Sequence, residues 1–335
     1  MNSKETAILG LAIPHFAPET IKKIAIIRRN GYGDLLCATP AITLLKKQYP
    51  KAEITLFVDQ RNSALLPYLS CYDRAVIFKA GGNKYLKVLG KAWKYRHEKF
   101  DLAISAKPTS MKLVNLFLTL LGAKYQIAAS NGEWHTRWIS HPQQSLPREI
   151  KRHQALKCLQ LLHPALEAIP ELLIPKIHLN DKLPSELNDI PKRYIVSSVS
   201  NNRISNRLPP ERHARLLNQF CIKHDLAAVI SGVPNDRSLA DAVMAGLDCP
   251  KICIISDSLH TLLHLLSRCT LAFSADGGFM HLTAAFDKPQ LILFTTTNTV
   301  EWAPLTNKAI CLSTPSGLSD LEDSIILKAL EDLLS

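Results

Sequence analysis

The chain has 335 residues and a mass of 37.3 kDa, and its 40 Lys and Arg exceed its 29 Asp and Glu, giving a net charge of +11. A hydrophobic content of 47% with 21% charged residues is typical of globular proteins and excludes disordered, collagen-like and coiled-coil chains. The longest nearly unbroken apolar stretch, residues 113–123, is far shorter than the ~20 residues of a membrane span, and no signal-peptide pattern develops near the start. We therefore expect a soluble, cytoplasmic protein of two domains, because ~100–200 residues form one domain.

The eight cysteines are scattered along the chain, so we expect reduced thiols rather than a disulfide framework. Cys249 and Cys253 are four residues apart, but no second pair at zinc spacing follows them. We predict no metal site, and no feature of the sequence indicates an oligomeric state.

The first half of the chain alternates short β-branched runs with helical patterns. A helix is predicted at 35–48, where it ends before Pro50. The strands are predicted at 24–27, 54–58, 75–78, 102–105 and 125–128. Near-continuous apolar strands that alternate with helices predict a parallel sheet covered on both faces.

The excess of basic over acidic residues is confined to the first half of the chain. Residues 1–180 contain 26 Lys and Arg against 12 Asp and Glu, a net charge of +14, whereas residues 181–335 have a net charge of −3. The densest part is 79–99, where four lysines follow one side of a predicted helix: Lys84, Lys87, Lys91 and Lys94. An apolar stripe, Leu86, Leu89 and Trp93, lies on another side. Two interpretations stay open: a solvated helix packed through this stripe, or a surface for an anionic lipid or membrane. No nucleic-acid-binding motif is present.

The second half repeats the strand and helix pattern. Its predicted strands are 194–198, 227–231, 251–255, 271–274 and 291–294, and a last helix covers 319–334. Five prolines between residues 164 and 191 indicate a linker. We therefore predict domains at 1–175 and 193–335, joined by 176–192, with the last helix assigned to either domain. Both are Rossmann-like α/β domains whose parallel sheets face each other across a cleft.

The loop that follows the first strand, residues 28–34, contains a glycine pair, Gly31 and Gly33, and ends in Asp34. It imitates a dinucleotide fingerprint, but Leu36 occupies the place of the third glycine. A carboxylate at Asp34 would repel a bound phosphate. Two roles stay open for Asp34: a helix cap, or a general base.

A second candidate loop follows the strand at 271–274. Asp276 precedes Gly277 and Gly278, and His281 falls in the first turn of the next helix. Two glycines before a helix let backbone N–H groups approach an anion, and the helix dipole favours the negative charge. The alternative is an Asp-capped helix with a surface histidine.

Together these segments resemble glycosyltransferase family 9, the lipopolysaccharide heptosyltransferases. The first matching block comprises residues 24–28, 33–36 and 39–42, and the second comprises residues 276–285 with the strand after them. A weaker match covers 231–236, and the matches run in order from residue 24 to 305. Three departures stand out: Gly277 replaces the usual Thr or Ser of the family, Asn206 aligns with a phosphate-contacting lysine, and Thr295-Thr296 stand where Gly-Pro is common.

The resemblance implies a GT-B fold and an inverting transfer of heptose from ADP-L-glycero-D-manno-heptose to the inner core of lipopolysaccharide, without a metal or other cofactor. Asp34 is the implied general base. The implied donor-binding residues are Asp276, Gly277, Gly278, Phe279, His281, Arg207, Arg203 and Ser198. The candidate acceptor contacts are Gly33, Arg61, Lys107 and Lys112. The basic first domain would suit a phosphorylated, Kdo-bearing lipid and a peripheral position on the anionic inner membrane.

Three alternatives remain. A nicotinamide-dependent oxidoreductase would need the glycine that Leu36 replaces. A GT-B transferase could use a different sugar nucleotide. A catalytically inert family member could dock on anionic lipid, an alternative that the departures at Asn206 and Thr295 keep open.

Overall fold

The computed structural model describes residues 16–147, 149–179 and 182–334. The chain divides into two compact units, Met1–Pro175 and Lys176–Ser335, and each contains one six-stranded sheet in which every strand pair is parallel. No helix among these residues has the length and hydropathy needed to cross a bilayer.

The first unit alternates strands and helices along the chain. Its strands are β1 (Lys23–Arg28), β2 (Glu53–Asp59), β3 (Arg74–Phe78), β4 (Leu102–Ser105), β5 (Tyr125–Ser130) and β6 (His141–Gln144). Its helices are α1 (Tyr32–Gln48), α2 (Gln60–Ser63), α3 (Lys84–Tyr95), α4 (Lys112–Leu121) and α5 (Gln154–Gln160). The strands lie in the order β3-β2-β1-β4-β5-β6.

Aromatic packing fills one side of this sheet. The ring of Phe57 on β2 is fully buried and lies 5.0 Å from the ring of Phe117 on α4 and 5.5 Å from that of Tyr95 on α3. Phe78 and Phe100 complete the cluster. Because β-branched and aromatic residues fit a pleated, buried surface, these strands form where the sequence is continuously apolar.

The second unit has the same plan. Its strands are β7 (Tyr194–Ser198), β8 (Ala227–Gly232), β9 (Lys251–Ile255), β10 (Leu271–Ala275), β11 (Gln290–Phe294) and β12 (Ala309–Ser313). Its helices are α6 (Pro210–His224), α7 (Arg237–Ala245), α8 (Leu259–Arg268), α9 (Gly278–Ala284), α10 (Thr299–Trp302) and α11 (Asp323–Asp332). The order β12-β11-β10-β7-β8-β9 is that of the first unit read from the other edge.

The ten predicted strands are confirmed, and two further strands were not predicted. Both of them, β6 and β12, are edge strands. The β6 segment reads His-Pro-Gln-Gln, and none of its residues is fully buried. A strand that is paired on one side only does not need the continuous apolar run by which buried strands are recognised.

Residues 176–179 and 182–192 and the last helix pack within the second unit. Ile177, Leu187 and Ile190 are buried, and the Ile177 N–H donates to the carbonyl of Ala285 at 3.5 Å. Helix α11 places Ile326 and two other apolar residues in the core of that unit. Its first residue, Asp323, accepts hydrogen bonds from Arg212 and Arg215 on α6.

The apolar stripe predicted on α3 packs only in part, because Leu89 alone of its three residues packs against the core of the unit. Leu86 and Trp93 of the apolar stripe are 75% and 56% exposed, and the helix is buried instead through Val88 and Ala92. The two sets lie on different sides of the helix, and the short residues Val88 and Ala92 allow closer contact with the sheet. A large apolar face of α3 is therefore left in solvent.

Candidate functional site

The strand order places one crevice in each sheet. In both units the first strand lies inside the sheet, and the chain leaves it in opposite directions: β1 between β2 and β4, and β7 between β8 and β10. At such a switch point the loops after the two neighbouring strands part, and ligands bind there, beyond the carboxyl ends. The loops after β1 and β4 are therefore the candidate site of the first unit, and those after β7 and β10 are the candidate site of the second.

A buried ion pair connects the end of β1 to the first turn of α1. Arg28 is only 2% exposed, and its Nη2 lies 2.7 Å from Oδ1 of Asp34. Its Nε also donates to the Asp34 carbonyl at 2.7 Å. The second carboxylate oxygen, Oδ2, accepts from the N–H of Gly31 at 3.3 Å. Asp34 thus caps the helix from its third position and keeps 24% of its side chain in solvent.

A second carboxylate shapes the loop between Arg28 and Asp34. Asp59, the last residue of β2, accepts from Nε of Arg29 at 2.9 Å and from the N–H of Asn30 at 3.1 Å. Asn30 has a φ of 88°, a left-handed conformation that Asn tolerates better than most residues. These bonds hold the backbone in a turn that leads directly to Asp34.

Lys107, on the loop after β4, lies within electrostatic range of this pair. It is half-buried, and burial together with the nearby charge of Arg28 lowers its pKa, while Asp34 acts in the opposite direction. The loop is held by Cys158 of α5, whose thiol donates to the carbonyl of Ala106 at 3.4 Å. Burial raises the pKa of Cys158 to about 11, so this thiol is neutral. The structure therefore brings together Asp34 and Lys107, two of the predicted site residues.

The other predicted acceptor residues occupy the same edge of the sheet in different positions. Gly33 is buried in the first turn of α1. Arg61 is exposed on α2, directly after β2. Lys112 begins α4, and its ammonium lies 5.1 Å from the ring centre of Trp134. No described contact joins Arg61 or Lys112 to Asp34.

In the second unit, Asn201 organises the loop after β7. Its Nδ2 donates to the carbonyl of Asp276 at 2.8 Å, and its Oδ1 accepts from the N–H of Arg203 at 2.9 Å. Its own carbonyl accepts from Nε of Arg207 at 2.8 Å. One amide thus connects the loops after β7 and β10, a role that the sequence analysis missed because a single Asn in a loop has no distinguishing pattern.

The two arginines predicted to bind the donor are each paired with a carboxylate. Nη1 of Arg203 lies 3.1 Å from Oδ2 of Asp276 and also contacts the Thr297 hydroxyl. Nη2 of Arg207 lies 3.0 Å from Oδ1 of Asp236. The side chain of Arg203 is 54% exposed and that of Arg207 is 28% exposed. Arg203 is thus the more accessible cation at this edge.

Two of the three departures from the family pattern, Asn206 and Thr295, contact each other. The Thr295 hydroxyl donates to Oδ1 of Asn206, and both residues are buried. Nδ2 of Asn206 has no hydrogen-bond partner among the described residues. Asn206 is therefore a buried residue that packs within the loop. The positive charge that the family's lysine would supply at this edge must come from Arg203 and Arg207.

The glycine loop after β10 is extended rather than left-handed. Gly277 has φ 171° and ψ −173°, and a Cβ there would meet nothing closer than Nδ2 of Asn201 at 3.7 Å. Gly278 and Phe279 begin α9, and His281 is buried with its ring centre 6.3 Å from that of Trp302. Ser198 ends β7 and lines a cavity of about 20 Å³ at the same edge. The predicted donor residues thus all lie at the carboxyl edge of β7 and β10.

Removing the Arg28 guanidinium should destabilise the protein. In Arg28→Met we expect the free energy of unfolding to fall by about 3 kcal/mol, because the Asp34 carboxylate loses its counter-ion. Urea denaturation followed by circular dichroism measures this. Arg74→Met, which breaks ion pairs at a side chain that is 45% exposed, should cost no more than about 1 kcal/mol. Equal losses of unfolding free energy in the two variants would contradict the interpretation of Arg28 and Asp34 as a buried ion pair.

Comparison with known proteins adds to this geometry. The Haemophilus influenzae lipooligosaccharide heptosyltransferase 2 is 23% identical over 85% of this chain and 87% of its own. Among solved structures, a family 9 glycosyl transferase from Veillonella parvula superposes with a TM-score of 0.78 at 20% identity, covering 93% and 97% of the two chains. The E. coli heptosyltransferase WaaC with ADP has a TM-score of 0.72 at 16% identity, covering 93% and 99%. These structures share the GT-B fold.

A protein-family model identifies the family of this chain. The model that describes glycosyltransferase family 9 (heptosyltransferase) matches residues 92–326, which is more than half of the chain. The match includes β4, the loop of Lys107 and the whole set of loops that carries Arg203, Arg207 and Asp276. The chain therefore belongs to glycosyltransferase family 9 and is a glycosyltransferase.

Proposed function

We propose that this enzyme transfers heptose from ADP-L-glycero-D-manno-heptose to the inner core of lipopolysaccharide, with inversion at the anomeric carbon. Membership of a heptosyltransferase family supports this, as do the name of the Haemophilus relative and the ADP in the E. coli structure. The observation that carries the proposal is the Asp34 carboxylate, which a buried arginine holds at the carboxyl end of β1.

Asp34 acts as the general base. Its Oδ1 is engaged by Arg28, whereas Oδ2 accepts only one long bond from Gly31, at 3.3 Å, among the described residues. Oδ2 is therefore the oxygen that takes the proton of the acceptor hydroxyl as that hydroxyl attacks the anomeric carbon. Arg28 fixes the orientation of the carboxylate, since its two bonds to one residue allow little rotation.

Negative charge develops on the departing ADP, and positively charged groups of the second unit stabilise it. Arg203 is the cation that a diphosphate reaches first, because half of it is exposed. Arg207, His281 and the backbone N–H groups at Gly277, Gly278 and Phe279 complete the donor set, with Ser198 beside them. Preorganised donors of this kind stabilise a leaving group without solvent reorganisation. Asp276 orients Arg203 and the loop.

The acceptor is a phosphorylated, acidic lipid saccharide, which suits the first unit. Lys107 lies beside the base, and Gly33, Arg61 and Lys112 lie along the same edge. The net charge of +14 over residues 1–180 attracts such an anion.

Asp34→Asn should lower kcat by about 10²–10⁴-fold, the usual contribution of a general base. ADP release from ADP-heptose, measured with a heptose-deficient core acceptor, tests this. The matched control is Asp73→Asn, a carboxylate that is paired with Lys46 before β3, at the opposite edge of the sheet. It should keep turnover within about twofold. Near-normal turnover in Asp34→Asn would remove Asp34 from the mechanism, and absence of turnover in the unmodified enzyme would favour the inert alternative.

Donor identity is tested by thermal shift with ADP, UDP and GDP. ADP should raise the melting temperature, because a ligand that binds only the folded state stabilises it. Arg203→Gln should weaken ADP binding at least about tenfold, since it removes a charge-assisted hydrogen bond. Arg237→Gln is the control: Arg237 is 62% exposed and belongs to the same unit. Stronger stabilisation by UDP or GDP would support the transferase with a different sugar nucleotide.

The enzyme docks on the anionic inner membrane through an aromatic–basic face of the first unit. Three exposed tryptophans each lie under a cation: Trp93 with Arg96 at 3.9 Å, Trp138 with Arg137 at 4.1 Å, and Trp134 with Lys112 at 5.1 Å. An apolar groove that contains Leu89, Leu116 and Trp138 connects α3 with α4. Trp at the interface and Lys or Arg beside it are the side chains that an anionic bilayer surface favours.

Co-sedimentation with vesicles tests this face. The protein should bind phosphatidylglycerol vesicles more strongly than phosphatidylcholine vesicles, and the binding should weaken with salt. Trp93→Ala should reduce the bound fraction severalfold, because it removes an apolar anchor. Ile222→Ala removes a residue that is 63% exposed on the second unit and should change nothing. Equal binding to both vesicle types would contradict the proposal.

A further inference from the structure

Two cysteines of the second unit contact each other in its core. Cys221 lies in the last turn of α6, and Cys249 lies two residues before β9. Both belong to one hydrophobic cluster, where they are 1% and 4% exposed. The Cys221 thiol donates a hydrogen bond to the sulfur of Cys249. All eight cysteines of the chain are free in this structure, so these two form a dithiol.

The side-chain amide of Asn218 holds the segment that carries Cys249 against α6. Its Oδ1 accepts from the N–H of Asp248 at 2.8 Å and from the N–H of Cys249 at 3.3 Å. Its Nδ2 donates to the carbonyl of Gly246 at 2.9 Å. Asn218 lies three residues before Cys221, so the two side chains lie on the same side of the helix. The backbone on both sides of the dithiol is therefore held in place by the same helix.

The two thiols differ in how readily they ionise. The hydrogen bond from Cys221 lowers the pKa of Cys249 against the effect of burial, and the N–H groups of Cys249 and Ala228 and the charge of Lys251 lower it further. The same hydrogen bond, together with burial, raises the pKa of Cys221. Since the thiolate is the nucleophile, Cys249 is the sulfur that reacts with an oxidant, and Cys221 is the sulfur that resolves the product.

The chain between the two cysteines forms a large part of the second unit. Residues 222–248 contain β8 and α7, together with Asp236, whose carboxylate pairs with Arg207. A bond between the two sulfurs would close this segment into a loop and restrict the unfolded chain. The end of α6 and the start of β9 lie at the amino edge of the sheet, opposite the loops after β7 and β10. Such a bond would therefore stabilise the unit without entering its candidate site.

We propose that the Cys221–Cys249 dithiol is a redox-sensitive element, which hydrogen peroxide converts into a disulfide that joins the end of α6 to the start of β9. The oxidised protein is then the more stable form. This inference goes beyond the proposed function and does not depend on it. Hydrogen peroxide is small, so local opening of the segment before β9 admits it to the sulfur of Cys249.

The oxidation proceeds in two steps. The Cys249 thiolate attacks one oxygen of hydrogen peroxide; the O–O bond breaks, a sulfenic acid forms, and hydroxide leaves with the electron pair and takes up a proton to become water. The Cys221 sulfur then attacks the sulfur of the sulfenic acid. The S–O bond breaks, the S–S bond forms, and the oxygen leaves with the Cys221 proton as a second water. The dithiol loses two electrons, and one peroxide is reduced to two waters.

Peptide mapping of the full-length protein tests the proposal. The folded protein is treated with hydrogen peroxide, its remaining thiols are alkylated after unfolding, and trypsin is added without a reductant. Peptide 216–223 should be linked to peptide 238–251 in most molecules, and dithiothreitol should release the link. Cys37 and Cys158 are the internal control: they are buried within electrostatic range of each other, but no described hydrogen bond joins them. Their peptides, 30–46 and 158–176, should stay unlinked.

Two variants separate the roles of the two sulfurs. In Cys221→Ser the sulfenic acid on Cys249 has no resolving thiol, so dimedone should label Cys249. In Cys249→Ser, dimedone should leave Cys221 unlabelled, because burial raises its pKa and keeps it protonated. Cys253→Ser is the matched control, since it changes a half-buried cysteine on β9. It should form the same link as the unmodified protein.

Oxidation should also raise the melting temperature by at least about 5 °C in differential scanning calorimetry, because the closed loop restricts the unfolded chain. Dithiothreitol should reverse the shift. Three outcomes would overturn the proposal: both thiols stay free in the folded protein, the link forms only in urea, or the linked protein melts no higher than the reduced one. A failure of heptosyl transfer would leave these results intact, since neither the mapping nor the calorimetry needs a donor or an acceptor.

Discussion

In both units the strands are parallel and the first strand lies inside the sheet. This topology determines where the candidate functional residues lie. In a parallel sheet all carboxyl ends meet at one edge, and the loops part where the chain leaves β1 and β7 in opposite directions. Everything assigned to function follows from that constraint: Arg28 and Asp34 after β1, Lys107 after β4, Asn201 and Arg203 after β7, and Asp276 after β10.

Charge at these edges is arranged in pairs that join neighbouring loops. Arg28 holds Asp34, and Arg203 and Arg207 hold Asp276 and Asp236. The pairs differ in how far the arginine is exposed to solvent. Arg28 is buried and cannot leave Asp34 without an unpaired charge in the interior, so it is an orienting group. Arg203 is half exposed, and an exposed pair contributes little to stability. We propose that a diphosphate displaces Asp276 from this guanidinium at small cost.

The first unit adds cations that no carboxylate of the described chain holds. Lys107 lies within electrostatic range of Asp34, and the aromatic–basic face with Trp93 and Trp138 lies on helices α3 and α4 and the turn near β6. We propose that the basic half of the chain serves in two places: beside the general base, where the acceptor binds, and at a surface for lipid. Electrostatic attraction of an anionic substrate would act at both.

The sequence by itself determined the fold class, ten of the twelve strands and the two candidate loops, because apolar parallel strands and glycine-containing turns leave local patterns. It did not reveal β6 and β12, whose single paired side needs no apolar run, and only Leu89 of the apolar stripe predicted on α3 packs on the core. Only the tertiary structure decided that Leu86 and Trp93 stay exposed, that Arg28 is the partner of Asp34 and that Asn201 joins two loops. Each of these depends on which residues meet across the sheet, and that information lies in long-range packing rather than in any window of the chain.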